Sequence, residues 1–275
     1  MSKPKSAMEI FKHLDKSNCR MCGEKTCLAF AGAVYQTRKE ISLCPRLDPE
    51  VAERYSSGEF APPRPAGPMG GELIDDLKKR LGALDFSAAA AKAGGEFDGK
   101  TLKVKVLGKD FGIRPDGSFS TDIHVNNWIA GPFLDYLING EGIAPTGEWI
   151  SFRELKGSDD LQYSFFKRRC EAGLKRVADD YTDLFDDLVH IFGGKRVERH
   201  FEADISVVIH PFPKVPVMIC YMEPEEGMPS TLNLFFDSAV DANLSIDSVL
   251  TLCAGFAVMI EKITEKHGFR TMQQK

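Results

Sequence analysis

Four cysteines fall within 26 residues near the start of this chain: Cys19, Cys22, Cys27 and Cys44, spaced C-x2-C-x4-C-x16-C and followed by Pro45. Three of them share one glycine-containing turn, Asn18-Cys-Arg-Met-Cys-Gly-Glu-Lys-Thr-Cys27. Thiols this close in sequence are expected to converge on one point, and the expected occupant of that point is a metal centre.

Three chemistries compete for such a cluster. A disulfide framework requires an oxidising compartment and usually a secretory signal, whereas Met1-Ser-Lys-Pro-Lys5 leads straight into a short polar helix with no long apolar run. Structural zinc favours two short cysteine knuckles; here the third cysteine follows four residues after the second and the fourth stands alone. Iron–sulfur ligation takes three close cysteines and one remote one, often with a proline after the last to keep that segment out of a helix. The iron–sulfur assignment fits the spacing best, and zinc stays open as the alternative.

The flanking residues agree with this reading. Thr26 is placed as an N-cap, and Leu28–Glu40 reads as an amphipathic helix beginning at Cys27, whose first N–H groups and dipole are expected to face the negative cluster. Phe30 and Val34, one turn apart, are positioned to shield it from water. Ahead of the motif, Ser6-Ala-Met-Glu9 forms a capping box opening a helix through Leu14.

With those residues in view, residues 14–47 resemble the small 4Fe–4S domain of the large subunit of the corrinoid iron–sulfur protein. The similarity rests on Asn18-Cys19, Cys22-Gly23, Thr26-Cys-Leu-Ala-Phe-Ala31 and Cys44-Pro45. It implies that Cys19, Cys22, Cys27 and Cys44 are the cluster ligands. It also implies that the cluster passes one electron to a cobalamin, returning Co(II) to Co(I).

Charge is unevenly divided. Residues 1–47 carry nine Lys/Arg against four Asp/Glu, while the whole chain is at −5. A basic cluster segment beside an acidic body suggests that the two can dock, and the cations also offset a cluster's negative charge. A pI of 5.8 and the lack of a basic stripe interleaved with aromatics give no sign of nucleic-acid binding. No run of 18 apolar residues occurs, so no membrane crossing is expected. An anaerobic, cytoplasmic setting is the expectation.

Residues 61–71, Ala-Pro-Pro-Arg-Pro-Ala-Gly-Pro-Met-Gly-Gly, hold four prolines and three glycines and read as a stiff linker. Beyond it, Glu72–Leu81 has helical periodicity, Thr101–Leu107 alternates as a strand, and Pro115-Asp-Gly117 marks a hairpin. Trp128–Ile138 is an apolar helix. Helical pattern then runs over 161–191, with a break placed near Gly173 and a stop at Gly193-Gly194. Three strand-like runs, Asp204–His210, Val215–Tyr221 and Thr231–Phe236, predict an antiparallel meander. A final helix spans Ile246–Lys266 behind Ser245 as N-cap, with Lys266-His267-Gly268 closing it. Its apolar face is Ile246, Val249, Leu250, Cys253, Phe256, Ala257, Ile260 and Ile263.

The predicted fold class is α+β. A small four-cysteine iron–sulfur domain (1–60) is joined by the linker (61–71) to an α+β domain with an antiparallel sheet (72–275). From about Lys100 the chain is also similar to an uncharacterised prokaryotic domain family often fused to such a four-cysteine segment. The residues behind this are Gly108–Gly117, Gly147–Leu155, Gly193-Gly194 and Leu234-Phe-Phe-Asp237. That family implies no activity.

No phosphate-binding loop, nucleophile elbow or zinc-protease motif is present, so catalytic residues are not assigned. Cys170, Cys220 and Cys253 read as core thiols. Asp122-Ile-His124 approaches the run by which one class of cobalamin proteins offers histidine to cobalt, but Asn127 replaces the required glycine, and His124 and His210 read as ordinary polar positions. Two functions stand. In one, the cluster delivers low-potential electrons to a corrinoid (cobalamin) held by the larger domain, with a redox partner protein or low-potential reductant supplying them. In the other, the chain is an electron-transfer or redox-sensing module without a corrinoid.

Overall fold

In a computed structural model the described residues are 7–35, 39–48, 51, 71–198 and 200–266. The chain divides into two compact units, residues 1–66 and 67–275. The segment expected to act as a linker lies outside the described residues up to Gly70, as do Ser6, the closing residues His267-Gly268 and positions 36–38 of the predicted second helix.

The smaller unit has two described helices, α1 (Ala7–Lys12) and α2 (Cys27–Tyr35), and a 3-10 turn over Ile41–Leu43. The first helix stops two residues before Leu14. Lys39 and Glu40 stand outside helical structure, so the second helix is shorter than its periodicity predicts. The core of this unit is small: Ile10, Leu14, Phe30, Ala31, Val34 and Ile41 pack around Cys27 and Cys44, with Phe11, Cys22, Tyr35 and Leu47 at the margin.

The larger unit is α+β with two antiparallel sheets where one was expected. It opens with α3 (Gly71–Arg80) and α4 (Phe86–Ala93). The second of these is capped at both ends. Asp85 Oδ1 accepts from the N–H of Ser87 and Ala88 at 2.9 and 3.0 Å, and Gly94 at φ 70° closes the C-terminus in the left-handed conformation that a side chain disfavours. Strands β1 (Glu96–Phe97), β2 (Leu102–Val106), β3 (Lys109–Ile113) and β4 (Phe119–Thr121) form the first sheet in sequence order. Its last hairpin turns where Pro115-Asp-Gly117 predicts, with Asp116 Oδ1 accepting from the Ser118 N–H at 2.8 Å.

Helix α5 (Asn127–Ile138) follows, then β5 (Trp149–Ser151) and a helical run in three pieces, α6 (Asp160–Phe166), α7 (Ala172–Asp180) and α8 (Leu184–Phe192). The break expected near Gly173 lies elsewhere. A π-helical turn fills Lys167–Glu171, and the real interruption is Tyr181 at φ −150°. Gly173 instead lies buried inside α7, where a Cβ would stand 3.6 Å from Ala257 and 3.4 Å from Glu261 of the final helix; it serves close packing of two helices.

The second sheet has the order β5-β9-β8-β7-β6, from β6 (Lys195–Arg196), β7 (Ile205–Phe212), β8 (Val215–Met222) and β9 (Thr231–Asp237). The predicted meander of three strands is its centre. After the short α9 (Val240–Asn243), α10 (Ile246–Lys266) packs its buried Val249, Leu250, Cys253, Phe256, Ala257 and Ile260 inward, while Ile246 and Ile263 are only half-buried. Between α10 and the inner face of β7–β9 the space left is about 10 Å³, lined by Ile209, Val217, Ile219, Leu234, Leu252 and Phe256 among others. Each large apolar side chain sealed there contributes about 1.5–3 kcal/mol. Among the described residues no helix is long and apolar enough to cross a membrane.

The two sheets meet through an aromatic column. Phe111 of β3 meets Phe133 of α5 edge-on at 4.8 Å, and Tyr136 stacks on Phe212 of β7 at 4.8 Å and 11°. The Tyr136 hydroxyl donates to the Ala93 carbonyl at 2.8 Å, and burial pushes its pKa up to about 12.

Glu171, on the π turn, is buried, and its Oε1 accepts from the Leu234 N–H at 3.1 Å. Burial, opposed by that hydrogen bond and by Lys167, raises its pKa. A carboxyl raised in the folded state contributes stability below its unfolded pKa and loses it as pH climbs through the folded value. Glu171→Gln keeps the acceptor and removes the charge. Its melting temperature is expected to exceed that of the wild type near about pH 8 and to converge with it toward about pH 4, as thermal scans will show.

Candidate metal centre

All four N-terminal cysteines are free thiols in the smaller unit. Cys27 and Cys44 are 7% and 8% exposed and belong to its core, whereas Cys19 and Cys22 are half-buried. Sequence reasoning placed one remote and three close cysteines together, and the fold brings Cys22, Cys27 and Cys44 to one apolar cluster.

The loop that carries them follows a path L-residues rarely take. Lys16, Asn18 and Arg20 hold φ values of 62°, 53° and 63°, and Gly23 holds 79°. Left-handed residues cost free energy when they bear a Cβ, and their alternation with other conformations is how backbone N–H groups are gathered into concavities for anions and iron–sulfur groups. Side chains lock the path. The Gly23 N–H donates to the Arg20 carbonyl at 2.9 Å, and Lys39 Nζ donates to the Cys22 carbonyl at 3.0 Å while pairing with Glu24 at 3.0 Å.

The start of α2 is tied to the same loop. Asn18 Oδ1 accepts from the Cys27 N–H at 2.8 Å, and Thr26 Oγ1 accepts from the Ala29 N–H at 3.0 Å, so Thr26 is the N-cap the sequence predicts. These bonds leave fewer first-turn donors for a bound anion than the sequence alone suggests, because Asn18 has taken one of them.

At Cys19 electrostatics favour the anionic form of the sulfur. A hydrogen bond from the Met21 backbone lowers the Cys19 pKa most; burial opposes it, and Ser17 and Arg46 add to the lowering. Arg46 Nη1 pairs with Asp15 Oδ2 at 3.0 Å, and its own pKa is raised by Asp15 first and by Cys19 and Cys44 further down.

No three Cys, His, Asp or Glu side chains among the described residues gather closely enough to share one metal ion. Four free thiols, a loop held in left-handed conformations and a buried apolar wall fit an iron–sulfur group.

Elsewhere, Cys170, Cys220 and Cys253 are buried as expected, and burial pushes all three thiols up. His124 is exposed in a loop, and His210 is half-buried in β7, its pKa lowered by burial and then by Lys195. The sequence did not single out two buried polar centres. Asp135 Oδ2 accepts from the Ser245 N–H at 3.1 Å and from the Ser245 and Ser248 hydroxyls at 2.6 Å each. Asp237 holds the 146–147 turn. A polar cleft of about 310 Å³ lies beside Asp135, Asn139, Asp241 and Ser245.

Residues 85–259 match the family described as "Domain of unknown function (DUF3786)", which is well over half of the chain. The chain belongs to this family. Residues 14–46 of this DUF3786 protein match a second family, described as "Putative Fe-S cluster", so the smaller unit carries an iron–sulfur segment. The chain is similar to the corrinoid/iron-sulfur protein large subunit of Moorella thermoacetica, 31% identical over 111 residues, which cover 38% of this chain and 25% of that protein. It is also similar to the acetyl-CoA decarbonylase/synthase complex subunit gamma of Methanopyrus kandleri, 40% identical over 58 residues, covering 21% and 12%. The corresponding subunit of Methanocaldococcus jannaschii is 41% identical over 54 residues, covering 20% and 11%. The DUF3786 chain thus spans a quarter or less of the length of these relatives. No solved structure matches it.

Proposed function

We propose that Cys19, Cys22, Cys27 and Cys44 hold a 4Fe–4S cluster through which the protein delivers low-potential electrons to a corrinoid (cobalamin) bound by its larger unit. The observation that carries the reading is the four-cysteine segment, similar to part of a corrinoid/iron-sulfur subunit and joined to a unit with no other recognisable cofactor motif. A bound cluster supplies one-electron transfer, at potentials that reach down to about −700 mV for this class of group. The chain's own residues supply the rest. Phe30 and Val34 form an apolar wall, Arg46 offsets negative charge near Cys19 and Cys44, and half-buried Cys19 and Cys22 give electrons a short route to the surface. A proton-silent site of this kind needs no catalytic acid or base.

The second reading, an electron-transfer or redox-sensing module without corrinoid, is favoured by the interior of the larger unit. Its apolar void holds about 10 Å³ and its polar cleft about 310 Å³. Ligand pockets run to about 300–1,000 Å³ for drug-sized molecules, and a corrinoid is larger than those. Neither of these two spaces is large enough for a corrinoid.

Titration of the anaerobically loaded protein with cobalamin separates the readings. Tight binding with a base-off visible spectrum, followed by appearance of Co(I) bands on reduction, is the expected result. A cluster-loaded protein whose spectrum is unchanged by excess cobalamin leaves the module reading in its place.

A further inference from the structure

Apolar side chains on the surface are unevenly placed. Of the eleven large hydrophobic residues most exposed in the described structure, four lie within the first 48 residues: Met8, Met21, Leu28 and Leu43. Three of these are sequence neighbours of the cysteines. Met21, 65% exposed, precedes Cys22; Leu28, 49% exposed, follows Cys27; and Leu43, 52% exposed, precedes Cys44. Cys22, Cys27 and Cys44 all pack into the one small core of this unit, and each of the three apolar residues is one Cα step of about 3.8 Å from one of them along the chain. Single exposed apolar residues are common, but three that each adjoin a cysteine of the same small core mark a candidate contact surface. Arg20 and Lys25 flank Met21 and Cys22, are exposed, and have no carboxylate partner among the described residues. The first 47 residues carry an excess of five positive charges.

We infer that this rim of Met21, Leu28 and Leu43, bordered by Arg20 and Lys25, is the docking surface for an acidic electron-carrier protein. The inference rests on the cluster reading above and names the chemistry of the partner. An apolar centre with a cationic border suits a brief encounter. The charges steer a negatively charged carrier onto the patch, and the small apolar contact seats it with its redox centre next to Cys22 and Cys27. One electron leaves the reduced carrier, which is oxidised, and the cysteine-held centre is reduced by one.

The probe is a reduced flavodoxin, an acidic low-potential flavoprotein, with photoreduced deazaflavin as the small-molecule control. Iron and sulfide content is measured first. In stopped-flow mixing, the Met21→Ser/Leu28→Ser/Leu43→Ser and Arg20→Glu/Lys25→Glu variants are each expected to slow reduction by flavodoxin about tenfold or more, with the wild-type rate falling as salt rises. Reduction by deazaflavin stays the same. Carbodiimide cross-linking, read by mass spectrometry, joins flavodoxin carboxylates to Lys25 in the wild type and loses that product in the apolar triple variant. A loaded wild type that flavodoxin fails to reduce, or variants with unchanged flavodoxin rates and cross-links, overturns the docking surface while leaving the cluster assignment intact. A wild type that takes up no iron and sulfide removes the cluster reading, and the docking surface with it.

Discussion

Cys27→Ala and Cys44→Ala are expected to emerge from anaerobic reconstitution with little iron, against about four irons and four acid-labile sulfides per chain in the wild type. These two thiols are the pair built into the core of the smaller unit, so each substitution removes a ligand and loosens the packing around it. Cys19→Ala and Cys22→Ala, at half-buried positions, are expected to leave a degraded or partly filled cluster. Cys253→Ala serves as the control. That thiol is buried in α10, where burial pushes its pKa up and keeps it protonated, and its loss is expected to leave iron content unchanged. Elemental analysis with sulfide determination reads the wild type and all five variants. Stoichiometric zinc without sulfide in the wild type would falsify the cluster assignment.

The second large effect is one of stability in the larger unit. Asp237 is 1% exposed at the end of β9, and its carboxylate is saturated. Oδ1 accepts from the Thr146 N–H at 3.0 Å, the Thr146 hydroxyl at 3.2 Å and the Ala239 N–H at 2.9 Å, while Oδ2 accepts from the Gly147 N–H at 2.6 Å. Three of those donors are backbone groups that have no other partner shown once the carboxylate is gone. Asp237→Ala is therefore expected to cost about 2–4 kcal/mol, since it orphans the buried Ala239 N–H and unties the exposed Thr146–Gly147 turn, whose two N–H groups water can reach. For a unit of this size that is a fall of roughly 10 °C in melting temperature. Asp237→Asn retains the shape and one acceptor oxygen and should fall between the two. A melting point for the alanine variant within about 2 °C of the wild type would show that water replaces the carboxylate at little cost.

Much of the larger unit was legible because its elements bury one face with a regular period. The alternation in Leu102–Val106, the turn at Pro115-Asp-Gly117, the meander of β7–β9 and the 21 residues of α10 all follow from local patterning. What local patterning hid was tertiary. Gly173 looks like a helix breaker in sequence, yet inside α7 it is the small residue that lets α10 approach, and the true break falls at Tyr181, which carries no breaker signal. Helix α4 is an alanine-rich run between Asp85 and Gly94, whose caps rather than any amphipathic stripe announce it. Asp135 and Asp237 were invisible as structural centres because Ser245 lies 110 positions from the first and Thr146 lies 91 from the second. At the candidate metal centre the residue types and spacing were legible from the start. The left-handed backbone at Lys16, Asn18 and Arg20 was not, since none of the three is glycine.

The small core described for the N-terminal unit has a consequence for the protein's lifetime. Among the described residues two of its eight buried members are Cys27 and Cys44, and a unit of this size is marginal on its own. With the cysteines loaded as proposed, part of its folding free energy comes from the group they bind. Oxidative loss of that group is then also an unfolding event that exposes chain to proteases. Abundance in a cell exposed to air would be governed by clearance of the emptied protein, so exposure would be recorded as a shorter half-life before any redox partner senses it.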